Sequence, residues 1–249
     1  MIEELSYEMD EGLGPRASIG LIALATDHTI EYEFRKILDL LGVVFYVTRV
    51  ENEVTINLET LQAMEAKLTH CADIILPGMD HSVFAFGCTS ASTVIGEEKV
   101  ISKIQENHPG VPVTTPITAV VAALKKLALK RIAVITPYRD DVNVQLRGLL
   151  VSRGFEIPYF GSFKQEDDNF AARISPTSIN DAILDIGARD DVDSVFLSCT
   201  NLRLADDVKA LEDKLQKPVI SSNLAMAWHC LRLSGIDDKL PQYGRLYVS

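Results

Sequence analysis

The chain has 249 residues, of which 47% are hydrophobic, so it is long enough for one large or two small domains with a substantial core. Its formal net charge of −11 argues against binding to nucleic acid or to an anionic membrane surface. No apolar stretch approaches the roughly 18 residues that a membrane span requires, and the acidic residues 1–10 lack the pattern of a signal peptide, which predicts a cytoplasmic protein.

Short apolar runs alternate with segments of helical period along the whole chain. The strand candidates, in chain order, are residues 17–24, 43–48, 82–87, 111–114, 131–136, 155–160, 194–199 and 218–221. The apolar residues of 34–41 are spaced as one face of a helix. Those of 58–75 keep a helical period as far as Pro77, which predicts one continuous helix there. A further helix is predicted over residues 116–128.

The second half of the chain repeats the first. Ser18–Ile22 matches Arg131–Ile135 at an offset of 113 residues, and the segment around Cys88 matches the segment around Cys199 at an offset of 111. A repeated alternation of strand and helix is typical of parallel sheets covered by helices. The sequence therefore predicts an α/β fold of two pseudo-symmetric (βα)₄ lobes, each a four-stranded parallel sheet flanked by helices.

The first predicted lobe spans residues 15–115 and the second residues 116–235, with helix 116–128 as the connection and residues 236–249 as a C-terminal tail. Right-handed crossovers bring the carboxyl ends of parallel strands to one edge of a sheet, where ligands bind in open α/β folds. We therefore expect the active site between the two lobes.

Each half carries a cysteine where its third strand ends, within Gly87-Cys88-Thr89 and Ser198-Cys199-Thr200. Free cysteine is often simply buried, which is how we interpret the unmatched Cys71 and Cys230. The equivalent positions of Cys88 and Cys199 favour a shared chemical role as acid, base or nucleophile. Backbone N–H groups after a strand end can also lower the pKa of a thiol.

The residues after each cysteine offer hydrogen-bond donors for a carboxylate, with helix capping as the alternative. They are Thr89, Ser90, Thr200 and Asn201. The spacing of cysteine and histidine residues predicts no metal site.

Three further residues follow strands or lie in a long loop. Asp27 comes after the first strand, where it either binds ligand or caps a helix. Tyr138 follows the fifth strand, as a ligand contact or as amphipathic surface. Asn169 lies in the polar segment 162–174, which is long for a βα connection; it is a turn residue or part of a lid.

With these motifs in place, the chain resembles the aspartate/glutamate racemase superfamily, and within it the branch of maleate cis–trans isomerases and arylmalonate decarboxylases. The resemblance covers residues 15–249 and is carried by Gly87–Ser92, Ser198–Arg203 and the closing Gly244-Arg245-Leu246. The segment Leu24–Thr29 is similar to relatives associated with ectoine utilisation.

The resemblance implies a cofactor-independent isomerase of a small carboxylate. Cys88 matches the nucleophile that adds to the maleate double bond, and Cys199 matches the acid/base thiol on the opposite face. Tyr138 and Asn169 match substrate-binding residues. The carboxylate cradles are Thr89, Ser90, Thr200 and Asn201.

Asp27 departs from the pattern, because maleate isomerases carry asparagine there. A carboxylate would repel a dicarboxylate by a few kcal/mol at short range, which favours a substrate with a nitrogen. Three alternatives therefore stay open: a racemase or epimerase of an amino-acid derivative, an arylmalonate-type decarboxylase, and a ligand-binding module without turnover. The expected partner is a small carboxylate or amino-acid-derived substrate, with no nucleic acid and no membrane; a homo-oligomer stays open.

Overall fold

The computed structural model describes residues 2–249, and over that range eight strands form two four-stranded parallel sheets, in the orders β2-β1-β3-β4 and β6-β5-β7-β8. The strands are β1 (Ala17–Leu24), β2 (Val43–Val50), β3 (Val83–Gly87), β4 (Val113–Thr114), β5 (Arg131–Thr136), β6 (Glu156–Ser162), β7 (Ser194–Leu197) and β8 (Val219–Ser221). The central pairs have matching registers, Ile19 with Val83 in one sheet and Ile132 with Ser194 in the other. The predicted fold class of two (βα)₄ units is confirmed.

Helices connect the strands and cover both sheets. They are α1 (Ile30–Ile37), α2 (Leu58–Gln62), α3 (Leu68–Asp73), α4 (Thr89–Ile95), α5 (Glu97–Gln105), α6 (Pro116–Lys126), α7 (Asp140–Ser152), α8 (Asp168–Ala171), α9 (Pro176–Gly187), α10 (Val208–Leu215) and α11 (Ser222–Leu233). Side chains that accept a backbone hydrogen bond begin several of them, such as Thr115 before Pro116 of α6 and Ser221 before α11.

Two helix predictions need correction. The continuous helix over 58–75 is broken into α2, a 3₁₀ turn at Glu65–Lys67 and α3. The helical period survives the break because Leu61, Met64 and Leu68 are all buried on the core side. The helix predicted over 34–41 instead spans Ile30–Ile37, because the chain turns before Gly42, at a φ of 77°, and leaves Leu41 exposed.

The strand ends also differ from the prediction at one informative place. The predicted strand 194–199 stops at Leu197, so Cys199 lies in the loop that follows β7. The first and fifth strands have their predicted limits, and the fourth shortens from 111–114 to Val113–Thr114. The cysteine that follows the third strand of each half therefore lies outside that strand, Cys88 as the cap of α4 and Cys199 in a loop.

The two sheets are joined by the helices that follow their last strands. Helices α6 and α11 pack against each other, and α11 also contacts β3 of the first sheet. The C-terminal residues are tied down as well, since the Tyr247 hydroxyl donates to the Leu224 carbonyl at 2.8 Å and Arg16 pairs with Asp238 at 2.5 Å. The division into residues 15–115, 116–235 and 236–249 stays a prediction. No helix within residues 2–249 is long and apolar enough to cross a membrane.

Candidate active site

A small, partly enclosed cavity lies where loops after strands of both sheets meet. Its walls are Leu24, Asn52, Glu53, Thr55, Ile56, Thr60, Leu61, Met64, Cys88, Thr89, Ser90, Tyr138, Asp168, Cys199 and Thr200. The centre of a water-sized sphere can move over only about 10 Å³ inside it, which is room for about one water molecule. A larger ligand therefore enters only when the segments around the cavity move apart. The structure therefore brings both predicted cysteines to one enclosed site.

Cys88 is the residue that caps helix α4. Its sulfur accepts a hydrogen bond from the Ala91 N–H at 3.3 Å and lies 3.5 Å from the Ser90 hydroxyl. Both contacts favour the thiolate, but burial outweighs them and raises the pKa of Cys88 to about 12. In this partly enclosed cavity the thiol is therefore protonated at neutral pH.

Cys199 has an unusual backbone conformation, with a φ of 116° that few residues other than glycine adopt. Its N–H donates to the Ser222 hydroxyl at 3.1 Å, and the Asn201 N–H donates to its sulfur at 3.4 Å. Burial raises the pKa of Cys199 well above its ordinary value, followed by repulsion from Asp168. The expectation of lowered thiol pKa values is wrong for both cysteines, because neither N–H contact compensates for burial.

All of the predicted hydroxyl-bearing residues line the cavity: Thr89, Ser90, Tyr138 and Thr200. Tyr138, which is almost completely buried, sits in the wall, and its carbonyl accepts from the Asn143 amide at 2.8 Å. The Thr89 hydroxyl lies 2.8 Å from that of Ser222, the group that also holds the Cys199 N–H. Ser90 and Thr200 complete this polar wall.

The structure places Asp27, Asn169 and Asn201 outside the cavity wall. Asp27 caps α1, because one oxygen accepts the N–H groups of Thr29 and Ile30, each at 2.8 Å. The helix-cap alternative is thus the one that the contacts of Asp27 support. Its second oxygen is buried without a partner, and burial raises the pKa of Asp27.

The side chains of Asn169 and Asn201 bind groups beside the cavity instead of lining it. The amide oxygen of Asn169 lies 2.9 Å from Nε2 of His28, so this side chain points to the first half of the chain rather than to the cavity. The Asn201 oxygen accepts the His28 N–H at 2.7 Å, and its amide nitrogen lies 3.4 Å from the Asp168 carbonyl. Both hold loops of the two halves together.

Asp168 is the main site residue that sequence reasoning missed. One of its oxygens accepts from the Thr26 hydroxyl at 2.6 Å, and the other lies 3.5 Å from the Asn201 amide nitrogen. Burial is the largest cause that raises its pKa to about 6. The polar run 167–169 was the only indication in the sequence that this segment contributes to the site, and Asn169 was chosen from it. Consecutive side chains of a helix point about 100° apart. Asp168 therefore lines the cavity, whereas its neighbour Asn169 does not.

Two segments pair over the cavity, one from each half of the chain. The Ile56 N–H donates to the Glu166 carbonyl at 2.8 Å, and the Asp168 N–H donates to the Val54 carbonyl at 3.0 Å. These bonds flank an antiparallel bridge between Thr55 and Asp167. The loop 162–174 therefore covers the site together with residues 54–56, whose part in the site carried no recognisable motif.

A buried carboxylate fixes the loop that carries Cys199. Glu33 of α1 accepts the N–H groups of Leu204 and Ala205, each at 2.7 Å, and the Asn223 amide at 2.8 Å. Asn223 also donates to the Thr200 carbonyl at 2.8 Å. The first half of the chain thus determines the position of the second catalytic candidate. Within the described range, 2–249, no three histidine, cysteine or acidic side chains are grouped so that they could hold a metal ion.

The family model described as arylmalonate decarboxylase matches residues 55–247, more than three quarters of the chain. The chain belongs to this family. Arylmalonate decarboxylase of Bordetella bronchiseptica is 34% identical over 140 residues, 55% of this chain and 58% of that protein. Maleate isomerase of Alcaligenes faecalis is 24% identical over 199 residues, 77% of this chain and 78% of that protein.

Solved structures of similar proteins have the same fold. A cysteine-to-serine mutant of Nocardia farcinica maleate cis–trans isomerase, described with a covalently bound succinylcysteine intermediate, superposes with a TM-score of 0.82. It is 23% identical in sequence, and the match covers 93% of this chain and 98% of that one. The resemblance read from the cysteine motifs is confirmed at the level of the family and the fold.

Proposed function

We propose that this member of the arylmalonate decarboxylase family is a cofactor-independent isomerase of a small carboxylate that uses Cys88 and Cys199. The observation that carries the proposal is the meeting of two buried thiols, from equivalent positions of a repeated unit, in one small cavity. The relatives named maleate isomerase, and the one described with a succinylcysteine intermediate, support the same chemistry.

The reaction needs one thiolate and one thiol, so Cys88, which is protonated in the free site, first gives its proton to solvent water. Cys88 as thiolate adds to one carbon of a double bond, which forms an S–C bond, while Cys199 gives its proton to the neighbouring carbon and becomes the thiolate. Rotation about the resulting single bond exchanges the two geometries. Cys199 then takes the proton back, the S–C bond breaks, and the double bond re-forms with Cys88 again as thiolate.

The hydroxyl groups in the wall orient the substrate. Thr89, Ser90, Thr200 and Tyr138 each carry an O–H that can donate to a carboxylate oxygen. Charge accumulates on a carboxylate oxygen when a nucleophile adds to the adjacent double bond, so the same donors stabilise the addition step. The high pKa of Cys199 suits it to hold a proton until that step.

A racemase or epimerase is the second candidate, favoured by the carboxylate of Asp168 in the cavity wall. An acidic group suits a substrate with a protonated nitrogen. In that reaction one cysteine removes a proton from the α-carbon and the other delivers a proton to the opposite face. No S–C bond forms, so the two candidates differ in a measurable product on the protein.

Mass spectrometry of the intact protein, incubated with a panel of small unsaturated carboxylates that includes maleate, separates these two candidate reactions. In the isomerase, Cys199→Ser accumulates an adduct with the mass of the substrate, because proton transfer is impaired while addition continues. Cys88→Ser forms none, because serine is a far weaker nucleophile at neutral pH. Cys71→Ser, which changes a buried thiol outside the cavity, is the control and retains activity.

Three other outcomes would each assign a different function to the protein. Deuterium uptake from D₂O at a substrate carbon, with no adduct in wild type or Cys199→Ser, assigns the racemase. Release of CO₂ from an arylmalonate assigns the decarboxylase. Ligand binding without any turnover, unchanged in both serine variants, assigns a binding module.

The proposal places the enzyme in the cytoplasm, where the reducing environment keeps its free cysteines as thiols. Its partner is the small carboxylate itself. Assembly into a homo-oligomer stays a prediction, which light scattering of the purified protein decides.

A further inference from the structure

The charged residues in the cavity wall are all acidic. Glu53 and Asp168 line the space, and the lining side chains drawn from residues 2–249 include no lysine, arginine or histidine. Arg49, which reaches the loop after β1, is occupied: it pairs with Glu31 at 2.6 Å and donates to the Asp27 carbonyl at 2.9 Å. A ligand in this cavity therefore meets negative charge without a neutralising side chain.

Asp168 is held in place before any ligand arrives. The Asn52 amide donates to the Thr26 hydroxyl at 2.8 Å, and that hydroxyl donates to the Asp168 carboxylate at 2.6 Å. The Asp168 N–H is bound to the Val54 carbonyl of the covering segment. The carboxylate thus reaches the site as part of the loop that covers it, and a pre-positioned charge binds its partner with little loss of entropy.

A second carboxyl group, that of Asp27, is buried near Asp168 but does not line the cavity. Asp27 is 2% exposed, and its outer oxygen has no hydrogen-bond partner. Its charge acts on Asp168 and contributes to the raised pKa of that residue. Two buried carboxyl groups that repel each other disfavour a further anion nearby and favour a cation. A dicarboxylate would add a second anion, whereas a molecule with one carboxylate and one ammonium group would compensate the charge.

We propose, building on the function proposed above, that the substrate carries a protonated nitrogen as well as a carboxylate, and that Asp168 binds this nitrogen. The carboxylate end lies against the hydroxyl groups of Thr89, Ser90 and Thr200, and the ammonium end lies against Asp168. The substrate class is a small zwitterionic amino carboxylate. Asp27 does not contact the substrate; its carboxylate attracts the ammonium group only through its electric field.

Three probes test this assignment by calorimetric titration of the full-length protein at pH 7.5. Succinate, butanoate and 4-aminobutanoate share a four-carbon chain and present an anion, a methyl group and an ammonium group at the far end. The expected order of affinity in wild type is 4-aminobutanoate, then butanoate, then succinate. Asp168→Asn is expected to weaken 4-aminobutanoate by about 10- to 100-fold, the worth of one charge-assisted hydrogen bond, and to tighten succinate.

Asp167→Asn is the matched control. It removes the same charge one residue away, but its side chain caps α8, accepting from the Asn169 N–H at 2.8 Å, and asparagine caps equally well. Its affinities are expected to stay within about 2-fold of wild type, because Asp167 is half-buried and its charge is the smallest of the causes that raise the pKa of Asp168. Circular dichroism and thermal unfolding show that both variants are folded.

The outcomes separate this inference from the proposed function. Tighter binding of succinate than of 4-aminobutanoate in wild type, or equal weakening of all three probes in Asp168→Asn, overturns the assignment to Asp168, whatever turnover is seen. The expected affinity order together with no thiol-dependent turnover of any carboxylate upholds the assignment and rejects the isomerase. Equal effects of the two asparagine variants also overturn it.

Discussion

Replacing Asp168 by asparagine is expected to stabilise the folded protein at neutral pH. Burial raises the pKa of this carboxyl group from its usual value near 4 to about 6. Because each pKa unit corresponds to about 1.4 kcal/mol, keeping the carboxylate ionised in the folded state at pH 7.5 costs up to about 3 kcal/mol. Asparagine removes that cost, and its oxygen still accepts from the Thr26 hydroxyl. Its NH₂ group, however, lies against the NH₂ group of Asn201, and this contact of two donors reduces the gain by roughly 1 kcal/mol.

The net gain is therefore about 1–3 kcal/mol at pH 7.5, or roughly 2–10 °C in melting temperature for a chain of this size. The gain depends on pH in a defined direction. The folded protein binds the proton more tightly than the unfolded chain, so the wild type loses stability as the pH rises from about 4 to about 6. Urea unfolding of both proteins at pH 4.5, 6.0 and 7.5 is expected to show the advantage of the variant growing with pH.

A uniform loss of stability would contradict this expectation. If Asp168→Asn destabilises the protein by the same amount at every pH, the carboxylate is fully compensated by its hydrogen bonds and its charge carries no folding cost. The control Asp167→Asn is expected to change the free energy of unfolding by less than about 0.5 kcal/mol. A gain confined to Asp168→Asn would identify the residue as one kept for binding at the expense of stability.

Three further predictions concern other parts of the site and the core. The rate at which iodoacetamide alkylates Cys88, measured by peptide mass spectrometry, is expected to rise about 10-fold per pH unit from pH 7 to 10, because the pKa of this thiol is raised to about 12. A rate that stops rising below pH 9 would contradict this. Glu33→Gln should lower the free energy of unfolding by about 2–4 kcal/mol, since its new amide opposes that of Asn223; urea titration showing less than 1 kcal/mol would disprove it. Gly20→Ala should cost about 1–3 kcal/mol, because the added methyl group would lie 2.5 Å from the Phe84 ring; an unchanged melting temperature would show that the ring moves freely.

The sequence alone was sufficient for the features that depend on local pattern and on repetition. The limits of β1 and β5 were predicted from apolar runs bounded by polar residues, and the doubled unit placed Cys88 and Cys199 at equivalent strand ends. Parallel strands with right-handed crossovers have few possible arrangements, so the shared cavity of the two thiols followed from that placement. Tyr138 was located by the same rule.

Other features were decided by tertiary structure. Whether Asp168 or Asn169 faces the cavity depends on the orientation of a four-residue helix, which is fixed by pairing with residues 54–56, more than 100 positions away. The bond between Glu33 and Asn223 joins residues 190 positions apart and has no periodic signal. The pKa of a buried group sums desolvation over all its neighbours, whichever part of the chain supplies them. For this reason the sequence located the two thiols, whereas only the folded chain determined their protonation and brought Asp168 into the lining of the same cavity.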